Sequence, residues 1–212
     1  MNTIVLPQQE LMERATTIRM LLTDCDGVLT DTGVYYSERG EELKRFSVRD
    51  GMGVACLRAA GIHTGILTGE FSPPLVRRAE KLGITRLYQG IRNKKAHLET
   101  ILRECGLGLE HIAYIGDDIN DLGIIETVRS SGLTAAPCDA LPLVAQAVHF
   151  RCSIGGGHGA FRELADWLLT LRVGHTTQLT DHSSHTLGDD PASSQLHHIH
   201  GGQLAQATRA RR

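Results

Sequence analysis

Short apolar runs of strand length alternate along this chain with longer amphipathic stretches. The runs cover residues 18–23, 62–67, 86–89, 111–115, 133–136 and 148–150, and the stretches 51–60, 73–82, 94–105, 122–129 and 141–147 predict helices between them. Punctuation agrees with these bounds: Gly61, Gly83 and Gly106 follow three helices, Ser72-Pro73 opens one and Asn93 caps another. Strands alternating with helices predict an α/β fold, a Rossmann-like parallel sheet with helices on both faces. Residues 33–48 break the pattern, with two β-prone arms around a polar turn at Gly40, and predict a protruding β-hairpin. A lone hairpin is marginally stable, so this one is expected to rest on the core or on another subunit. Further helices are expected over 10–16 and, after Gly155-Gly156-Gly157-His158-Gly159, over 160–171.

Composition narrows the class. A formal charge of −2 gives no basic face for nucleic acid, and no apolar run reaches the length of a membrane span. Residues 1–9 lack the charged-then-apolar layout of a signal peptide. The five cysteines are dispersed and form no C-x-x-C pair, which fits reduced thiols in a cytoplasm. Past Gly174 the chain turns rich in His, Ser, Thr, Gln and Gly without apolar period. Residues 1–173 are therefore expected to form one domain and 174–212 a disordered tail.

The candidate chemistry gathers at the ends of the apolar runs. The first run ends in Asp24-Cys25-Asp26-Gly27, two carboxylates one residue apart, where a strand turns into a loop. In an open α/β sheet, ligands sit beyond the carboxyl ends of the strands. Carboxylates that close repel unless a cation lies between them, and Mg²⁺, a hard ion held by a few carboxylates and a substrate phosphate, suits the place. Successive strand ends then deliver Thr68, Lys94 and Gly116-Asp117-Asp118-Ile119-Asn120-Asp121. Each element alone is an ordinary turn or cap; their order and placement together predict a phosphoryl-transfer site. Asp24 is the candidate nucleophile, expected to face solvent. Asp26 is the candidate acid–base group, outside the inner shell of a metal ion held by the Asp24, Asp26 and Asp117 set. Thr68 and Lys94 would neutralise phosphoryl oxygens, Lys94 being preferred over Lys95. Asp118 and Asp121 are candidates for water-mediated metal contacts or for orienting Lys94.

Asp24 to Asp31, Leu67-Thr68-Gly69, Asn93-Lys94 and Gly116 to Asp121 resemble the four motifs of the haloacid dehalogenase (HAD) phosphatase superfamily. Its capless branch, the 3-deoxy-D-manno-octulosonate 8-phosphate (KDO 8-phosphate) phosphatases, is resembled more closely. The likeness lies in Tyr35-Tyr36, Gly40-Glu41-Glu42-Leu43-Lys44, Val48-Arg49-Asp50-Gly51, Tyr88-Gln89-Gly90 and Gly156 to Glu163, and spans residues 18–172. The resemblance implies the HAD fold, a Mg²⁺-dependent phosphatase, and a homotetramer with shared active sites. In such an assembly the hairpin 33–48 forms an intersubunit barrel, and the glycine-rich segment 155–162 reaches substrate. Thr30, Arg49, Gly69, Glu70, Arg78, Gly156 and His158 are the substrate-binding candidates.

Glu70 departs from the pattern, since relatives acting on KDO 8-phosphate commonly carry arginine after the Thr-Gly pair. A carboxylate there repels a sugar-acid carboxylate and accepts hydrogen bonds from hydroxyls. Glutamate at this place resembles the phosphatases of nine-carbon acids such as KDN 9-phosphate. The leading expectation is a phosphatase of a phosphorylated 2-keto-3-deoxy sugar acid on the route to lipopolysaccharide. The nine-carbon enzyme comes second, and a catalytically silent oligomerisation module or a receiver-like domain further behind. The intact acidic set argues against the silent module, and Asp26, suited to turnover, against the receiver.

Overall fold

The structure, a computed structural model, describes residues 6–185. Among these, six parallel strands form one sheet in the order β5-β4-β1-β6-β7-β8, with β1 Met20–Thr23, β4 His63–Leu67, β5 Arg86–Tyr88, β6 Ile112–Ile115, β7 Leu133–Ala136 and β8 Phe150–Arg151. A separate antiparallel pair, β2 Tyr35–Ser37 and β3 Gly40–Leu43, is the expected hairpin. The helices are α1 Gln8–Thr17, α2 Val48–Ala59, α3 Pro73–Leu82, α4 Lys94–Cys105, α5 Ile119–Val128, α6 Pro142–Ala147 and α7 Ala160–His185.

Alternation within β1 explains the layers. Leu21 joins a core built with Met12, Leu57, Leu75 and Phe161 from α1, α2, α3 and α7. Met20 and Leu22 face the opposite core, with Leu98, Ile125 and Val144 from α4, α5 and α6. A central strand buried on both faces must be apolar throughout, hence the unbroken run before Asp24. Each side chain so buried contributes about 1.5–3 kcal/mol of transfer free energy.

The strand order sets the site. From β1 the chain winds outward through β4 and β5, then returns to lay β6 on the other side of β1, making a switch point between β1 and β6. Thr23 pairs in register with Ile115, and the Asp24 N–H donates to the Ile115 carbonyl at 3.0 Å. The first and fourth motifs are thereby held side by side.

Of the bounds that differ from the sequence-based expectation, two have a consequence for the site or the tail. Helix α5 begins at Ile119 rather than 122 because the Asp118 side chain accepts from the Ile119 N–H at 2.6 Å and caps it there. Helix α7 runs on through Gly174 to His185, so residues 175–185 are helical where composition predicted a disordered tail. Gly174 lies within the helix as a point of contact. A Cβ on it would lie 3.3 Å from Met12 Sδ, so the glycine lets α7 lie close against α1. Trp167, stacked on Phe150 at 4.5 Å, ties the same helix to the sheet edge. The remainder of the tail, 186–212, lies outside the described residues.

Candidate active site

Ligand oxygens of Asp24, Asp117 and Asp121 lie within 4.8 Å of one another at the switch point. Lys94, the first residue of α4, is fully buried beneath them. Its Nζ donates to Asp24 Oδ1 at 2.8 Å and to Asp121 Oδ1 at 2.7 Å. Tyr114 Oη also donates to Asp121 Oδ1, at 2.5 Å, while Asp121 Oδ2 accepts the N–H groups of Asp117 and Asp118 at 2.9 and 3.2 Å. Both oxygens of Asp121 are taken; it orients Lys94 and closes the Asp117 loop. Asp118, exposed, has its side chain committed to the α5 cap.

Asp24 corrects one expectation. Its carboxylate does not face solvent but is 5% exposed, drawn in by the Cys25 N–H at 2.7 Å and by Lys94. Burial, then the charge of Asp121, pushes its pKa up to about 7 against the pull of Lys94. Burial and the charges of Asp24, Asp121 and Asp118 push Asp117 up to about 8. Lys94 is depressed by burial but raised more by Asp24 and Asp121, and stays a cation.

These groups fit a divalent ion. Among the described residues Asp117 Oδ1 is buried without a hydrogen-bond partner, and two carboxylates share the space with their charged forms disfavoured. A hard cation would relieve both. Gly27 is required by the same geometry. At its φ of +89°, a Cβ would fall 1.9 Å from Asp117 Oδ2.

Comparison with known proteins accords with this arrangement. Residues 41–127 match the haloacid dehalogenase-like hydrolases. The chain is 41% identical over 160 residues to the 3-deoxy-D-manno-octulosonate 8-phosphate phosphatase of Escherichia coli K12, covering 76% of this chain and 84% of that protein. It belongs to the KDO 8-phosphate phosphatase family of haloacid dehalogenase-like hydrolases. The structure of the Yersinia pestis enzyme is 40% identical, with a TM-score of 0.71 over 79% of this chain and 89% of that one. That of the Moraxella catarrhalis enzyme, in complex with magnesium, phosphate and KDO, is 30% identical, with a TM-score of 0.73 over 82% and 98%.

Around the acidic centre of this family member the other candidates separate. Thr68, 2% exposed at the end of β4, accepts the Glu70 N–H at 3.3 Å, and Glu70 stands exposed on the rim. Gly69 has open space around its Cα. Lys95 is exposed, so Lys94 is the lysine that reaches the centre. Thr30 is buried and donates to Asp26 Oδ1 at 3.1 Å. Gly156 abuts the first motif: a Cβ on it would fall 2.0 Å from the Gly27 carbonyl oxygen, and its N–H donates to Asp139 Oδ1 at 3.0 Å. His158 Nε2 lies 3.1 Å from Arg45, whose guanidinium is paired with Asp31 at 2.6 Å. Arg78 is engaged away from the acidic centre, donating to the Ser47 carbonyl at 2.8 Å and lying over the Phe46 ring. Arg49 is exposed on a surface groove it shares with Val48, Met52 and Arg162.

Lys44 was not singled out by the sequence. Its Nζ lies 2.5 Å from Asp26 Oδ1, and its side chain is 1% exposed. The only signal was its place in Gly40-Glu41-Glu42-Leu43-Lys44, where a lysine ending a strand is indistinguishable from a solvated charge.

Proposed function

We propose that this protein hydrolyses KDO 8-phosphate with Mg²⁺ through an aspartyl-phosphate intermediate. The observation that carries this is Lys94 bridging Asp24 and Asp121 beside an Asp117 oxygen with no partner among the described residues, at the β1/β6 switch point of a chain 41% identical to a phosphatase of that ester. Asp24 and Asp117, together with the Asp26 segment, would hold Mg²⁺. Bound there, the ion would neutralise phosphoryl oxygens and keep Asp24 ionised. Asp24 is the nucleophile: its oxygen forms a bond to phosphorus as the sugar alkoxide leaves. Lys94 and the Thr68 hydroxyl stabilise charge on the transferring group. Asp26 protonates the leaving oxygen, then takes the proton from the water that cleaves the acyl phosphate. Gly156 seats the glycine-rich segment against the Asp24 loop. Gly69, Glu70, Arg49 and His158 would form the substrate side, whereas Thr30 is taken up by Asp26 and Arg78 by the Ser47 carbonyl. Its five unpaired cysteines suit a reducing cytoplasm.

A phosphate-release assay tests this, with KDO 8-phosphate turned over in preference to KDN 9-phosphate and only with Mg²⁺. Preference for the nine-carbon acid would refute the assignment. Glu70 on the rim supports the nine-carbon acid as a second reading. Glu70→Arg is therefore expected to raise kcat/KM for KDO 8-phosphate by about fivefold, the size of one exposed charge pair. An unchanged ratio between the two acids would remove Glu70 from substrate selection.

We further propose a homotetramer closed by the hairpin. Val34, Tyr35, Tyr36 and Leu43 stand 42%, 58%, 74% and 64% exposed on a two-stranded ribbon with no third strand among the described residues. Such a patch on so small a ribbon calls for a partner surface. Tyr36→Glu combined with Leu43→Lys is expected to turn tetramers into smaller species in light scattering. A wild-type monomer with full activity would refute the shared site.

A further inference from the structure

Lys44 occupies a place that disfavours a lysine. Tyr36 and Leu43 of the same hairpin are 74% and 64% exposed, yet the Lys44 side chain is 1% exposed. An ammonium withdrawn from water is strongly unfavourable unless carboxylates meet it. Two do, Asp26 Oδ1 at 2.5 Å and Glu41 Oε2 at 3.4 Å. The other oxygen of Glu41 accepts from Ser72 Oγ, and Ser72 caps α3 directly after the loop that carries Thr68 and Glu70. Lys44 thus ties the hairpin to the Asp26 loop and, through Glu41, to the second motif.

The way Asp26 is held is asymmetric. Thr30 Oγ1 donates to the same oxygen, Oδ1, at 3.1 Å, and among the described residues Oδ2 receives no hydrogen bond. A carboxylate pinned through one oxygen has its plane fixed and the other oxygen free. Resting on the acid–base role given to Asp26 above, we propose that Lys44 is a positioning residue for proton transfer. With Thr30 it pins Oδ1, so that Oδ2 passes the proton to the leaving alkoxide as the Asp24–phosphorus bond forms and the phosphorus–sugar oxygen bond breaks. Oδ2 then takes a proton back from the water that attacks the acyl phosphate, releasing phosphate and restoring Asp24. Lys44 itself does not touch substrate, since its ammonium is enclosed by Asp26 and Glu41. The hairpin therefore contributes to catalysis within its own subunit.

The test is the dependence on leaving group. With the full chain and Mg²⁺, first-turnover cleavage is compared for KDO 8-phosphate, whose alkoxide needs a proton, and p-nitrophenyl phosphate, whose phenolate does not. Lys44→Met is expected to slow the alkyl ester about 30-fold while slowing the first release of nitrophenolate less than about threefold, with KM shifted less than about twofold. In the Asp26→Asn background, adding Lys44→Met is expected to cost nothing further, as for two residues acting through one group. Equal losses on both esters, a loss carried by KM, or additive losses would overturn the proposal. Glu41→Gln, which loosens Lys44 without removing it, must shift the two esters in the same selective direction even if Lys44→Met does not fold; no selectivity there also overturns it. If Asp26→Asn itself fails to separate the two esters, the acid–base role falls and the positioning role with it. If Asp26→Asn separates them and Lys44→Met does not, the positioning role alone falls.

Discussion

Asp24→Asn is expected to lower turnover by about 10⁴-fold or more, the scale on which enzymes lose a covalent nucleophile, while leaving the protein folded. An amide oxygen keeps the two hydrogen bonds that Asp24 Oδ1 now accepts, from the Cys25 N–H and from Lys94. The amide nitrogen brings donors to a space shared with Asp117 and Asp121. Asp24 sits where its charged form is disfavoured, its pKa pushed up to about 7 by burial and by Asp121. The neutral amide therefore relieves repulsion. The variant without metal is expected to melt at or above the wild-type temperature at pH 8, despite being inert. Thermal melts and phosphate release on the same preparation check both halves. Residual turnover within about tenfold of wild type would remove Asp24 as the nucleophile.

Asp24 also shows how far a sequence can be read. The apolar run before it told where a strand ends, and four such ends placed Asp24, Thr68, Lys94 and Asp117 at one edge, because the β-α alternation leaves few topologies. Strand order supplied what no single segment holds. Only the return of β6 to the side of β1 brings Asp117 to Asp24, and it is this contact that buries a carboxylate expected to face water. Lys94 was legible because it opens a capped helix at a strand end. Lys44 was not, because its partners are Asp26, 18 residues away, and Glu41, which is itself held by Ser72 across the loop, a matter of how the hairpin folds back. Composition misled past Gly174: residues 175–185 carry no apolar period, yet they continue α7, and Gly174 within it admits Met12 of another helix.

Removing divalent metal with a chelator is expected to abolish turnover, and the Mg²⁺ that restores it to bind more tightly as pH rises from 6 to 8. Asp24 and Asp117, raised to about 7 and about 8 in the ion-free fold, hold protons at pH 6 that the ion must displace. Each displaced proton steepens the apparent affinity by up to about tenfold per pH unit, and the gain levels off above pH ~8 where none remain. Stability follows the same sign. A carboxylate whose pKa is raised on folding contributes stability that is complete below its unfolded value and lost as pH climbs through the folded one. The ion-free protein is therefore expected to lose melting temperature between pH 5 and 8, and the increment given by saturating Mg²⁺ to grow over the same interval. Melts with and without Mg²⁺ at pH 6, 7 and 8.5 read the increment, and calorimetry in two buffers of different ionisation enthalpy counts the protons released. An increment independent of pH, with no proton release at pH 7, would mean that the ion binds away from Asp24 and Asp117. The nucleophile would then lack the cation that keeps a buried carboxylate charged at neutral pH.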